Sequence, residues 1–260
     1  MILTADYHTH TPYSHGKNTV AENAARAKEL GLQQIGITDH GFSHLAFGLK
    51  RKKVAALKEE CQTASKTLGI DVLVGMEANI RGVSGLSDIT EKDYDDFDLY
   101  VCGKHVFVSY DKFSDVWHYL LGNFTVDKFR RKAGQKLIEY NTKAYINAIK
   151  NNPIDIVSHV GYLCPADVKE VAKCAADYGT YIELNSKKTH LTDEELFSLT
   201  ETDVRFVIGS DAHSASRVGD TAIVEEQLKR VNFPMDRIDN IDGRLPRFRF
   251  AALKNGERLR

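Results

Sequence analysis

A chain of 260 residues, 42% of them hydrophobic, can bury one sizeable core and has about the length of a single α/β barrel. Its 35 Lys and Arg against 36 Asp and Glu give a formal net charge of -1, so no overall field draws it to nucleic acid or membrane. Cys61, Cys102, Cys164 and Cys174 form no CxxC pair, no run nears the roughly 18 apolar residues of a membrane span, and MILTADYH has no signal-peptide core; the expected compartment is a reducing cytoplasm.

The first strand is ILTADY, followed by a helix over Thr19 to Leu30 that opens with a T-x-x-E capping box (Thr19, Glu22) and stops at Gly31. QQIGIT is the second strand, and a helix from about Leu49 to Leu68 ends before Gly69. DVLVGM and DLYVCG follow, separated by a soluble acidic loop containing Asp93, Asp95, Asp96 and Asp98. The remaining strands are IDIVSH, TYIELN and VRFVIGS, with helices over Pro165 to Tyr178, Thr192 to about Glu201, and Thr221 to Val231. The tail RLPRFRF is basic and aromatic, a pattern also found in nucleic-acid binding, but is expected to pack on the barrel as a helix or strand.

Strands alternating with helices imply a parallel sheet with crossover connections, and no GxGxxG follows the first strand, so a closed or nearly closed barrel is the better reading. Seven units make it an irregular (β/α)7 barrel, a single domain over residues 1–260. The stretch from Phe107 to Asn152 is too long for a simple crossover and reads as a helical insertion, with a short helix near Trp117 and a long one from Val126 to Lys150. It is either extra packing or a lid, in which case Lys128, Arg130, Arg131, Lys132 and Lys136 would meet an anion.

The functional face of a parallel barrel is the carboxyl end of its strands. His8 and His10 close the first strand, His40 the second, Glu77 the third, His105 the fourth and His159 the fifth, while Asp211 and His213 follow the seventh. His15 lies in the first loop. The pairs His8/His10 and Asp211/His213 are spaced i, i+2, which puts both members on one face of a strand. Any one of these histidines alone is more often a hydrogen-bonded core or loop residue than a ligand, but seven of the ten gather at this end with two carboxylates.

Imidazole suits Zn and Fe and carboxylate suits harder ions such as Mn, so the set fits divalent transition metals. Nine candidate ligands at three or four per ion correspond to two or three ions if a carboxylate bridges, and Glu77 is the natural bridge. Asp39 beside His40 either orients a ligand or donates a proton, or it serves only as a structural cap. His44, His118 and His190 fall outside the set, although His44 lies close enough in sequence to touch substrate.

HxH at residues 8 to 10, His15, TDH, the Glu in GMEANI, His105, SH at residues 158 to 159 and GSDAH together resemble the motifs of the polymerase and histidinol phosphatase (PHP) family of metal-dependent phosphoesterases. GMEANI and VNFPMDRI look most like its small free-standing bacterial phosphatases, which have three metal ions in a distorted (β/α)7 barrel. The resemblance implies one ion on His8, His10, Glu77 and Asp211, a second on Glu77, His105 and His159, and a third on His15, His40 and His213. The long insertion departs from the more compact members and bears on substrate identity.

The expected reaction is hydrolysis of a small phosphorylated metabolite, a phosphomonoester as in histidinol phosphatases, by a metal-bridging hydroxide attacking phosphorus; Glu77 and Asp211 stand at the reacting centre. Arg217, Lys104 and Arg81 adjoin or follow ligands and are the candidates to clamp phosphate. The competing readings are a phosphodiesterase or exonuclease on nucleotides, metal-dependent C–N hydrolysis, and a metal-dependent binding module. The neutral charge balance weighs against long nucleic acid, and no heptad seam or interface stripe points to an oligomeric state.

Overall fold

The structure is a computed structural model that describes residues 1–128 and 133–257. Among these, seven strands lie side by side in chain order, every neighbouring pair parallel. They are β1 (Ala5–Thr9), β2 (Gln34–Ile37), β3 (Asp71–Asn79), β4 (Leu99–Gly103), β5 (Ile156–Val157), β6 (Tyr181–Asn185) and β7 (Phe206–Gly209). The edges meet just past β7, where His10 N donates to Ala212 O at 2.8 Å and Ala212 N to His8 O at 3.1 Å. Asp6 reinforces the seam by accepting from Ser210 N and Oγ. The result is the nearly closed, seven-stranded α/β barrel expected from the alternating pattern.

The surrounding helices are α1 (Val20–Glu29), α2 (Val54–Leu68), α3 (Gln135–Asn151), α4 (Val168–Tyr178), α5 (Asp193–Leu199), α6 (Ala222–Arg230) and the short α7 (Arg249–Lys254). The Thr19/Glu22 capping box opens α1, and α2 ends at Gly69 in the left-handed region, φ +67°, where glycine is unstrained. No helix of the described residues is long and apolar enough to cross a membrane.

The insertion differs from its expected form. The long helix starts at Gln135, because Gly134 takes an extended conformation (φ -71°, ψ 149°) and interrupts the run expected from Val126. Before it come Phe113–Asp115, a π-helical turn over Val116–Gly122 and a short helix over Asn123–Lys128. Asn147, Asn151 and Asn152 of this region donate to the carbonyls of Val83, Ser84 and Gly85, tying it to the loop after β3. Of the five basic residues considered for an anion-binding lid, Arg130, Arg131, Lys132 and the side chain of Lys128 lie outside the described residues. Lys136 is exposed and does not line the cavity at the strand ends.

Two cores follow from the closure. One packs the helices on the barrel's outside, and the other fills its interior with Tyr7, Leu99, Val101, Ile156, Tyr181 and Val207. Phe248 from the C-terminal segment enters this interior core, its ring 4.8 Å from that of Tyr7, so the tail packs on the barrel with one ring plugging its interior. Burying such a side chain is worth about 1.5–3 kcal/mol.

Strict alternation along β1 would send His8 to the face opposite Tyr7. Asp6 pairs with Ile35 and Thr9 with Ile37, so β1 carries an extra residue between these points. This bulge shifts the phase, letting Tyr7 pack in the interior while His8 and His10 reach the site above it.

Candidate metal centre

The carboxyl ends of the strands converge on Glu77, which projects from β3 and is almost fully buried. Its Oε1 lies 2.6 Å from His159 Nε2, 3.2 Å from His105 Nε2 and 3.3 Å from His8 Nε2. Its Oε2 lies 2.8 Å from His40 Nδ1 and 3.7 Å from His10 Nε2. Asp211 adds a second carboxylate, with Oδ1 3.3 Å from His10 Nε2 and 3.9 Å from His8 Nε2. Three triads, His8/His10/Asp211, His40/Glu77/His105 and His10/His40/His213, have donor atoms within 4.8 Å of one another, near the spread of ligands about 2.0–2.2 Å from one ion. His15 stands at the rim, its ring stacked 4.9 Å from His40 and edge-on 4.2 Å from His213, outside these triads.

The donor set fits divalent ions. His8 Nδ1 lies 2.6 Å from Glu183 Oε1 and His105 Nδ1 lies 2.8 Å from Asn79 Oδ1. Each acceptor holds the Nδ1 proton, which leaves the Nε2 lone pair aimed at Glu77. The Nε2 atoms of His8 and His213, both ring nitrogens of His10 and Glu77 Oε2 are buried without a hydrogen-bond partner. Each such orphan costs about 1–3 kcal/mol, and so many in one place suit ligation rather than packing.

Electrostatics agree. Burial outweighs the opposing pull of Glu77 and lowers His105 to about 3, and burial reinforced by His213 and His40 lowers His15 to about 4, keeping these rings in the neutral form a metal requires. Burial alone would raise the Glu77 carboxyl, but His105, His8 and His40 outweigh it and hold it well below its ordinary range. His8 shows the opposite balance: burial lowers it, while Glu183, Glu77 and Asp211 together drive it well above 6.5. Three buried carboxylates that attract a proton so strongly also attract a cation.

The backbone is strained at two candidate ligands, His159 at φ +30° and Asp211 at φ +49°. Glu183 Oε2 accepts His159 N–H at 2.9 Å and helps hold that conformation. Asn185 Nδ2 donates to Glu183 Oε2 at 3.0 Å and lies 3.4 Å from Asp211 Oδ2. Asp88 accepts from Asn79 Nδ2 at 2.6 Å and so fixes the amide that faces His105. Glu183, Asn185, Asn79 and Asp88 were not singled out as site residues in the sequence. A usable signal was the i, i+2 pair Glu183/Asn185 at the end of β6, the same spacing as His8/His10.

Above the centre lies a cavity of about 440 Å³ whose walls include Lys187 and Lys188 after β6, with His44, Phe47, Phe107, Tyr162 and His190. Lys187 Nζ is 3.2 Å from both Asp211 Oδ1 and His213 Nδ1. The three expected phosphate clamps do not line this cavity. Arg217 is committed to Asp220 at 2.5 Å and to the carbonyl of Ser186. Arg81 donates to the carbonyl of Ser109, and Lys104 is buried beneath the chain, donating to His105 O and lowered to about 8 by burial. Asp39 also stays off the cavity wall; it accepts from Thr11 N, Thr11 Oγ1 and Ser14 Oγ and pins the loop bearing His15.

The PHP domain family matches residues 6–187. A protein of Thermoanaerobacter sp. (strain X514) named a probable phosphatase is 31% identical over 258 residues, covering 93% of this chain and 92% of its own. Another so named, from Caldanaerobacter subterraneus subsp. tengcongensis, is 32% identical over 248 residues, covering 92% and 87%. The histidinol phosphate phosphatase of Lactococcus lactis subsp. lactis, solved with zinc, L-histidinol and phosphate, superposes with a TM-score of 0.57 at 15% identity. It covers 89% of this chain and 94% of its own, a likeness of fold. A match over most of its length and relatives above 30% identity across nearly the whole chain place this chain in the PHP domain family.

Proposed function

We propose that the protein hydrolyses a small phosphomonoester, consuming one water and releasing inorganic phosphate and the parent alcohol. The chain is a metal-dependent hydrolase by family, and the carrying observation for this reading is Glu77, whose two oxygens face five imidazoles beneath a small cavity with lysines in its wall. His8, His10 and Asp211, then Glu77, His105 and His159, then His40, His213 and His15 would hold two or three Zn, Mn or Fe ions. When bound, such ions lower the pKa of water toward neutrality and offset the charge of the phosphoryl oxygens. Lys187 and Lys188 bring ammonium groups to the same cavity, where they would orient a phosphoryl group. A cavity of about 440 Å³ suits a small organic phosphate, and the chain's net charge of -1 offers no field for a long polyanion.

The test compares a phosphomonoester, a phosphodiester and a cyclic amide, using protein loaded with Mn or Zn and Glu77→Ala as control. Monoester turnover that disappears in the control supports the reading, and histidinol phosphate, after the Lactococcus protein's name, is the first metabolite to try. Diester-only turnover would make it a phosphodiesterase, and amide-only turnover a C–N hydrolase.

A further inference from the structure

The surroundings of Nδ1 separate two kinds of histidine around this cavity. His8 and His105 turn Nδ1 toward an acceptor and keep Nε2 for a metal. His44 does the reverse: the main-chain N–H of Phe47 donates to its Nδ1 at 3.0 Å. A neutral imidazole carries one ring proton, so a Nδ1 that accepts puts that proton on Nε2. Such a nitrogen has no lone pair for an ion, but it can donate to a ligand. The ring lines the cavity, stacked 4.9 Å from His40 and edge-on 5.8 Å from His105. Its backbone is fixed as well, by Leu45 N donating to Phe107 O at 2.9 Å and Gly48 N to His44 O at 3.0 Å.

We propose that His44 donates a hydrogen bond from Nε2–H to the leaving oxygen of a phosphate ester held in the cavity; this rests on the phosphomonoesterase reading. The non-bridging oxygens of a phosphate are charged from the start and are matched by cations, here the ions and Lys187 or Lys188. The ester oxygen carries little charge in the substrate and gains it only as its bond to phosphorus lengthens. A neutral donor of fixed direction answers that growing charge, and unlike an imidazolium it is not repelled by nearby metal ions.

The experiment measures kcat/KM for alkyl and aryl phosphates spanning a wide range of leaving-group acidity, in wild type, His44→Phe and His44→Gln, with bound metal counted in each. Phenylalanine keeps a ring without a donor, while glutamine restores an N–H near the Nε2 position. His44→Phe should lose on the order of 10²-fold on alkyl phosphates and less than about threefold on p-nitrophenyl phosphate, with unchanged metal content. His44→Gln should recover part of the alkyl activity. An equal loss across the series, or loss of an ion, overturns the proposal. Nitrogen NMR of metal-loaded wild type gives a second readout, and a proton found on Nδ1 would also overturn it. A wild type silent on every phosphate removes the phosphomonoesterase reading and, with it, the acceptor named here, even if the tautomer is as stated.

Discussion

Glu183 Oε1 lies 2.6 Å from His8 Nδ1, while Oε2 of the same carboxylate accepts the N–H of His159 at 2.9 Å. One side chain thus sets the tautomer of one candidate ligand and the strained backbone of another. Glu183→Gln should keep the volume but weaken metal binding by about 10–100-fold, the usual cost of losing such a support. Competition against a zinc chelator measures this, and unchanged affinity would show that Glu183 does not position the site.

Gly209 makes room for that carboxylate. A Cβ there would sit 2.1 Å from Glu183 Oε1 and 3.1 Å from His8 Cβ. Gly209→Ala should therefore cost about 1–3 kcal/mol of stability through overpacking and weaken metal binding together with it. Gly134→Ala, where a Cβ meets nothing within 4 Å, should do neither. Thermal melts with and without zinc check both, and a Gly209→Ala protein as stable and as metal-avid as wild type would contradict the packing argument.

Lys187 is the cation beside Asp211 and His213, whereas Arg217 and Arg81 are committed to the protein. Lys187→Met should raise KM for a phosphomonoester about tenfold, equivalent to about 1.4 kcal/mol of binding. Arg217→Ala and Arg81→Ala should leave KM within about twofold, the range of ordinary surface changes. A larger effect at Arg217 than at Lys187 would reverse this assignment.

The foot of the barrel carries a pH-sensitive link. Asp155 accepts from Tyr100 N at 2.9 Å and Phe250 N at 2.7 Å; burial raises its carboxyl to about 7, against smaller opposing effects from those N–H groups and Arg249. A carboxyl raised in the folded state contributes stability that is full below its unfolded value, near 4, and is lost as pH climbs through 7. The difference in unfolding free energy between wild type and Asp155→Asn should therefore shift against wild type between pH 4.5 and pH 8, by up to about 3 kcal/mol. Urea titrations at the two pH values measure it, and a pH-independent difference would mean that Asp155 titrates normally.

Much of this was readable in advance for physical reasons. Parallel strands buried on both faces show as short apolar runs, and ligands at their ends occupy one register position in each unit, so His8, His40, Glu77, His105 and Asp211 could be placed before any coordinates. Contacts between distant segments were hidden. Nothing local in Glu183 says that it meets His8, 175 positions away, and nothing in β1 announces the bulge that turns His8 inward. Neighbourhood in sequence misplaced the cations: Lys104 adjoins His105 yet points into the protein, while Lys187 reaches Asp211 from another strand end. The tail's role as a plug likewise depends on Phe248 meeting Tyr7 across the closed sheet.

The central claim is that these side chains assemble a multinuclear metal centre around Glu77. Its most direct test is the number of ions bound per chain, by elemental analysis after loading with Zn or Mn and removal of the excess. Two or three per wild-type chain and at least one fewer in Glu77→Ala are expected, whereas a folded wild type holding one ion or none would rule out a multinuclear centre.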